Sequence, residues 1–283
     1  MPSPALGAYG FRLSCPQAGD PLPNLIEVDP SAPLITVFWR HASTVRDIEE
    51  VGERRVAYGF RGATTYHVER EPPVIGFDIP LVPSPAALVH PLLTIGVSVL
   101  ARWRGDVTLH AGAFETAAGA WAVMGAREAG KSSILASIGE RGHPVVADDL
   151  LAIQDGSVWA GPSCVDLRPD TVGRFKTAES MGVVGGRPRF RLATRPGRAR
   201  LPLKGFFVLD WTSGDDIRID PLPARERVQW LYRQEYIRLV GFSDPTKMLP
   251  LVALPAWRLT RPRDWEATDA AVERVLAIVM NAR

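Results

Sequence analysis

Cysteine, lysine and net charge are all scarce in this chain of 283 residues, and each scarcity argues against a class of protein. Only two cysteines occur, Cys15 and Cys164, far apart and without the spacing of metal ligands. A count this low does not support a disulfide framework and favours a reducing compartment. The formal net charge of +2 is too small to favour binding to nucleic acid or to an anionic membrane surface.

Long apolar runs are missing as well. The most apolar segment, residues 86–101, is interrupted by His90 and Pro91 and is short for a membrane span. The N-terminal text "MPSPALGAYGF" has no basic stretch followed by an apolar run, so it does not resemble a signal peptide. We therefore expect a cytoplasmic protein that does not associate with membranes. With 46% apolar and 23% charged residues, the chain can bury a sizeable core.

Arginine replaces lysine almost throughout, which makes each of the four lysines conspicuous. Six arginines fall between Arg187 and Arg200, in text rich in turn residues, and this composition predicts a loop. Near a binding site, six guanidinium groups would favour an acidic or carboxylate-bearing ligand. A solvated connection between two elements has the same composition, so the pattern leaves both readings open.

The hydrophobic pattern predicts an α/β fold in two domains, residues 1–105 and residues 106–283. The first is a β-rich region, because "LITVFWR", "RRVAYGF" and "TTYHVER" are apolar and β-branched clusters between turn residues. It includes one helix over residues 86–103, for which Ser84 is the predicted N-cap. The second domain is predicted to have a mixed central sheet and closing helices over residues 223–240 and 264–280.

The start of the second domain shows a change from strand to helix periodicity. "DVTLHAGAF" and "AWAVMG" predict a hairpin of two strands, and "SSILASIGER" predicts a helix that ends at Gly142. "HPVVADD" then predicts a buried strand, which a right-handed crossover places beside the strand "AWAVMG". A further hairpin with Asp155 and Gly156 at its turn follows.

A glycine-rich loop lies between this second strand and the helix. Residues 125–132, "GAREAGKS", match the phosphate-loop pattern G-x-x-x-x-G-K-[ST]. Backbone N–H groups at the helix start would bind phosphates, Lys131 would neutralise them, and the Ser132 hydroxyl would ligate Mg²⁺. The predicted nucleotide-binding residues are Gly125, Ala126, Arg127, Glu128, Ala129, Gly130, Lys131, Ser132 and Ser133. Inside the loop, the acidic side chain of Glu128 would repel phosphate if it pointed inward, and Arg127 is a candidate for holding the transferred group.

Two adjacent carboxylates, Asp148 and Asp149, end the strand that follows the helix. Because the crossover places them at the same edge as the phosphates, we assign one carboxylate to the metal and the other to proton acceptance. His110, in "TLHAGAF", precedes the loop and is placed by the hairpin alongside the strand that enters it. Contact of His110 with the phosphates or carboxylates and a structural role for it remain equally open at this point.

Taken together, "LHAGAF", the phosphate loop and "RGHPVVADD" resemble the catalytic domain of the HPr kinase/phosphorylase family over residues 107–153. The resemblance implies Asp149 as the general base, Asp148 beside the metal with Ser132, and His110 next to both. It also implies ATP and Mg²⁺ as cofactors. The family usually has glycine where Glu128 stands, and the docking segment of its bifunctional members is absent here. The chain is more similar to relatives linked to peptide maturation, including lasso-peptide tailoring kinases.

We therefore expect a kinase that transfers phosphate from ATP to a serine or threonine hydroxyl of a peptide or small protein. A kinase for a small-molecule alcohol and a nucleotide-binding scaffold without transfer activity are the alternatives. The intact Lys131, Ser132 and aspartate pair argue against the scaffold. No nucleic-acid or membrane partner is expected, and a homo-oligomer is compatible with these features.

Overall fold

The computed structural model describes residues 4–44, 48–60, 64–184, 186–236 and 244–281. Helices and mixed sheets alternate along these residues, so the predicted mixed α/β architecture is confirmed at that level. The division into two domains at residue 105 stays a prediction. The predicted helix over residues 223–240 extends into residues 237–240, which lie outside the described part of the chain.

The first sheet comes from the β-rich N-terminal part of the chain. Its strands are β1 (Leu6–Ala8), β2 (Phe11–Ser14), β3 (Ile26–Glu27), β4 (Leu34–His41), β5 (Glu49–Val51), β6 (Arg55–Phe60), β7 (Thr64–Glu69) and β8 (Val74–Ile79). They are ordered β3-β1-β2-β4-β8-β7-β6-β5. The pairs β2/β4 and β4/β8 are parallel, and the other pairs are antiparallel.

The apolar helical segment that follows is broken where the sequence carries proline. It consists of α1 (Pro85–Ala87), a π-helical turn (Leu88–Leu92) and α2 (Leu93–Arg104), and Ser84 Oγ caps it by accepting the Ala87 N–H at 3.2 Å. The single helix predicted over residues 86–103 is therefore wrong in its continuity. His90 is extended, with φ −156° and ψ 130°, because a residue before proline is disfavoured in the helical region.

The same segment is long and apolar enough to span a membrane by length and composition, yet 78% of its most apolar window is buried within the protein. It packs on β7 and β8, and its apolar side chains share one core cluster with Tyr66 and Phe77 of the first sheet. Leu150 and Ala152 from the other half of the chain belong to the same cluster. These contacts are those of a core helix.

The remaining elements follow the segment in chain order. The strands are β9 (Val107–Leu109), β10 (Gly112–Thr116), β11 (Gly119–Gly125), β12 (Val145–Ala147), β13 (Leu151–Gln154), β14 (Ser157–Trp159), β15 (Cys164–Leu167), β16 (Glu179–Val184), β17 (Arg187–Ala193), β18 (Arg200–Trp211), β19 (Arg218–Pro221) and β20 (Ala256–Arg261). The helices are α3 (Lys131–Glu140), α4 (Pro169–Val172), α5 (Ala224–Arg233), α6 (Leu249–Val252) and α7 (Trp265–Asn281), with a 3₁₀ turn at Pro245–Met248 before α6.

The central sheet is mixed and has the order β12-β10-β11-β18-β14-β13-β9, with β20 also paired to β18 and β19 paired to β20. Strands β11, β18 and β20 run parallel to one another. A small antiparallel sheet, β15-β17-β16, packs on α3 and α4. Several local predictions are confirmed, including the hairpin turn at Asp155 and Gly156, helix α7, and the end of α3, where Gly142 has φ +87°.

Three predictions about this half of the chain are wrong. "DVTLHAGAF" forms two strands, and His110 lies in the break between β9 and β10. Strand β12 does not lie beside β11, because β10 pairs with both and separates them. Residues 187–193 form strand β17 instead of a loop, since their backbone pairs with β15 on one side and β16 on the other.

Candidate functional site

Four strands of the central sheet end at the same edge. Strands β11, β18 and β20 are parallel, so Gly125, Trp211 and Arg261 lie at the same edge. Strand β12 is antiparallel to β10, which is antiparallel to β11, so β12 also runs toward this edge. Asp148, which follows β12 directly, therefore reaches the loop after β11 even though β10 lies between the two strands.

The loop over residues 126–130 leads from β11 into α3. Gly130 has φ +83° and immediately precedes the helix, and Glu128 has φ +68°, in the region that favours glycine. The Ala129 N–H donates to the Ala126 carbonyl at 3.1 Å, which closes a tight turn. Lys131, the first residue of α3, folds its side chain back and donates from Nζ to the carbonyl oxygen of Gly125 at 3.1 Å. Burial lowers the pKa of Lys131, against the opposing effect of the nearby aspartates.

The hydroxyl of Ser132 lies against the first carboxylate. Its Oγ is 3.1 and 3.3 Å from the two carboxylate oxygens of Asp148, and Asp148 Oδ2 also accepts the backbone N–H of Asp166 at 3.1 Å. Asp148 is only 6% exposed, and burial is the main reason that the pKa of its carboxyl is raised. A buried carboxylate of this kind gains from a cation placed against it.

The second carboxylate, Asp149, is held by a histidine and a tyrosine. His110 Nδ1 lies 3.0 Å from Asp149 Oδ1, and the Tyr236 hydroxyl lies 3.2 Å from Asp149 Oδ2 and 2.8 Å from Thr94 Oγ1. Burial opposes ionisation of Asp149, but the hydrogen bond and charge of His110 outweigh it and lower the pKa of the carboxyl well below its usual range. Asp149 is therefore an ionised carboxylate at neutral pH, in a backbone conformation with φ +74°.

The acidic residue inside the loop has its own partner. Glu128 Oε1 accepts a hydrogen bond from Arg168 Nη1 at 2.9 Å, and Arg127 Nε lies 3.8 Å away. The Arg168 hydrogen bond and charge lower the pKa of the Glu128 carboxyl. The side chain of Glu128 is thus directed to Arg168, and its negative charge is opposed by that guanidinium.

A cavity of about 770 Å³ joins these groups. The predicted site residues that line it are Gly125, Arg127, Glu128, Gly130, Lys131, Ser132, Ser133, Asp148, Asp149 and His110. Ala126 and Ala129 are not among its lining residues, and the side chain of Ala129 is buried. The broken helical segment and the first sheet complete one wall, with Thr94 and Tyr66 among their contributions.

Sequence reasoning missed several residues that contact these groups. Tyr236 was assigned to a helix, but α5 ends at Arg233 and Tyr236 turns back toward the sheet, where its N–H donates to the Thr108 carbonyl at 2.9 Å. Arg168 stands 40 residues beyond Glu128, and no local pattern connects the two. Of the six arginines in residues 187–200, Arg187 and Arg189 line the cavity. Arg191 is buried, and its Nε donates to Asp166 Oδ1 at 2.7 Å.

Neither protein-family models nor curated proteins match this chain. Among solved structures, it is similar to the HPr(Ser) kinase/phosphatase from Coxiella burnetii, with 10% sequence identity and a TM-score of 0.28. The similar region covers 61% of this chain and 97% of that protein. Similarity at this level does not by itself assign an activity, so function has to be inferred from the geometry of the site.

Proposed function

We propose that this protein is an ATP- and Mg²⁺-dependent kinase that phosphorylates a serine or threonine hydroxyl of a peptide or small protein. The observation that supports it best is the meeting of the loop after β11, the Ser132–Asp148 contact and the ionised Asp149 in one cavity. Phosphoryl transfer depends mainly on positioning and on electrostatic stabilisation. Each of the three features supplies part of that requirement.

The loop and α3 form the nucleotide side of the proposed site. The first N–H groups of a helix have no partner within the helix, and the helix dipole adds positive potential there. Lys131 places an ammonium group among them, and its present hydrogen bonds to backbone carbonyls are exchangeable for bonds to phosphate oxygens. Because Glu128 is paired with Arg168, the guanidinium offsets the repulsion that an acidic residue in this loop would exert on phosphate.

The oxygen donors beside the loop suit Mg²⁺. Ser132 Oγ and the Asp148 carboxylate are hard oxygen ligands that already touch each other, and burial of Asp148 favours a cation next to it. These two residues would hold the metal, whose role when bound is to offset the charge on the transferred phosphoryl group. In this arrangement Asp149 does not hold the metal and can interact with the hydroxyl of the acceptor.

Asp149 is the proposed acceptor of the hydroxyl proton. Its Oδ1 is bound by His110 and its Oδ2 lies near Tyr236, so the carboxylate is oriented from two sides. A lowered pKa makes it a weak base, but a loose transition state demands orientation of the attacking hydroxyl more than basicity. His110 and Tyr236 are positioning residues in this scheme because both act through Asp149.

The arginines that line the cavity support a peptide acceptor with acidic groups. Beyond Asp149 the cavity continues between the broken helical segment and β17, where Arg187 and Arg189 line it. Guanidinium groups favour an acceptor with acidic groups, although Arg189 Nη1 also lies 3.6 Å from Asp166 Oδ2. The protein lacks the docking segment of bifunctional relatives, so we propose transfer in one direction only.

The test is mass spectrometry of acceptors after incubation with the protein and Mg-ATP. One arm contains purified HPr, a second a panel of short seryl peptides with and without acidic residues, and a third no acceptor. The proposal expects a phosphoryl group on at least one peptide and none on HPr. Phosphorylation of HPr alone would overturn the acceptor assignment, and failure to bind Mg-ATP by calorimetry would overturn the kinase assignment.

A further inference from the structure

A buried arginine lies directly behind the loop. Arg261 is the last residue of β20 and stands opposite Trp211 in the parallel pairing with β18, at the edge where β11 ends. Its side chain is fully buried, at 0% exposure, which is rare for a charged group without an acidic partner. Nothing in the G-x-x-x-x-G-K-S pattern points to a residue 130 positions later.

Arg261 contacts the loop through its guanidinium. Nη2 donates to the Ala129 carbonyl at 3.1 Å, and a Cβ placed on Gly130 would come within 2.5 Å of the same nitrogen. The guanidinium lies 4.1 Å above the ring of Trp211, whose Nε1 donates to the Glu128 carbonyl at 3.1 Å. Two successive loop carbonyls are therefore fixed from behind.

The fixed carbonyls determine where the loop N–H groups point. In a planar trans peptide the C=O and the next N–H point in opposite directions. With the Ala129 carbonyl held by Arg261, the Gly130 N–H points away from Arg261, and Gly130 itself lines the cavity. Position 130 favours glycine because its φ is +83°, and a Cβ there would also displace the guanidinium of Arg261.

The charge of Arg261 lies apart from the carboxylates of the residues that the structure describes. Among the described residues, no carboxylate lies within ion-pair distance of its guanidinium, and Nε and Nη1 are buried without a hydrogen-bond partner. Burial alone lowers the pKa of Arg261, to about 10, so the group is still a cation at neutral pH. An unpaired buried cation is unfavourable for folding, and an anion bound nearby offsets part of that cost.

We propose that Arg261 is a positioning residue for the anion bound in the loop: its buried guanidinium, supported by Trp211, orients the loop backbone and supplies a fixed positive charge behind it. This rests on the proposed function, since the anion would be the phosphates of a nucleotide. Arg261 acts through the loop and is separate from Lys131, which faces the cavity.

The experiment measures binding of inorganic pyrophosphate and of Mg-ADP by calorimetry, together with the thermal midpoint of the unliganded protein. Arg261→Gln keeps an N–H donor on a shorter side chain and removes the charge, and Arg261→Lys keeps the charge. Arg227→Met is the control, because Arg227 likewise donates to backbone carbonyls, those of Leu222, Val252 and Leu254, away from the loop. We expect Arg261→Gln to weaken pyrophosphate binding roughly tenfold or more. Its unliganded midpoint should be unchanged or higher, since an unfavourable buried charge is gone.

Arg261→Lys should recover most of the affinity, and Arg227→Met should bind as wild type. Wild-type affinity in Arg261→Gln would refute the inference while leaving the proposed function intact. Loss of affinity in Arg227→Met to the same degree would show a general effect of arginine removal and would also refute it.

If the wild-type protein binds neither pyrophosphate nor Mg-ADP, the proposed function fails and this inference fails with it. If Arg261→Gln does not fold, Arg261→Lys decides: a tenfold loss with the charge retained would contradict the electrostatic role.

Discussion

Replacement of Lys131 by alanine is the most direct test of the loop. The ammonium group lies in a half-buried position at the start of α3, with Asp148 and Asp149 as its nearest charges. At about 4 Å from a phosphate oxygen and an effective dielectric constant near 20, one charge pair is worth roughly 4 kcal/mol. If that interaction is realised mainly in the transition state, its loss lowers the rate about 1,000-fold.

Folding should be affected far less by the same change. Lys131 Nζ donates to two backbone carbonyls, and each such bond contributes about 1 kcal/mol net. Removing a half-buried ammonium also relieves its desolvation, which offsets part of that loss. We therefore expect a thermal midpoint within a few degrees of wild type, about the shift that 1 kcal/mol produces in a protein of this size.

The assay for Lys131→Ala is transfer of labelled phosphate from ATP to an unphosphorylated seryl peptide that the wild-type protein accepts, with circular dichroism to verify folding. Lys176→Ala is the matched control, because Lys176 is exposed and is not among the residues that line the cavity. The control should retain wild-type transfer. Near-full activity in a folded Lys131→Ala protein would refute the assignment of the loop as a phosphate site.

Two further predictions concern the carboxylates and the residue that sequence reasoning missed. Asp149→Asn should abolish transfer and leave Mg-ATP binding largely intact, whereas Asp148→Asn should raise the Mg²⁺ concentration needed for activity; calorimetry showing the opposite pattern would reverse the two roles. Tyr236→Phe removes a hydroxyl shared between Thr94 and Asp149, so we expect about 1 kcal/mol of lost stability and a lower kcat with little change in KM for ATP. An unchanged kcat would show that Tyr236 does not orient Asp149.

The parts of the site that local sequence predicts are those whose determinants are close in the chain. The loop and α3 depend on glycines, Lys131 and an apolar helical stripe that are close together in the sequence, and the strand, loop and helix follow one another as predicted. Asp148 and Asp149 arrive at the same edge because β12 runs in the direction of β11. A helical crossover largely determines the direction of the next strand, but it does not determine which strand lies beside it. The predicted edge for Asp148 and Asp149 is therefore correct, whereas the predicted adjacency of β12 and β11 is wrong.

The break at His110 shows where local periodicity fails. "DVTLHAGAF" is a short, mostly apolar segment and predicts one strand, yet β9 pairs with β13 and β10 pairs with β11 and β12. The chain changes neighbours at His110, and this places the imidazole beside Asp149, which lies just before β13. A pairing switch of this kind is decided by strands more than 35 residues apart. No pattern within the segment encodes it.

Glu128 illustrates the same limit for charge. Its position in the loop suggested repulsion of phosphate, because a sequence cannot tell which way a side chain faces. Glu128 does line the cavity, but its carboxylate accepts a hydrogen bond from Arg168, and this guanidinium opposes its charge. Arg261 is the converse case, a charge that acts on the loop from behind and from 132 residues away. Two arginines outside the motif therefore influence the electrostatic potential at this loop. Substitution of Arg168 or Arg261 should change anion binding although every residue of the motif stays the same.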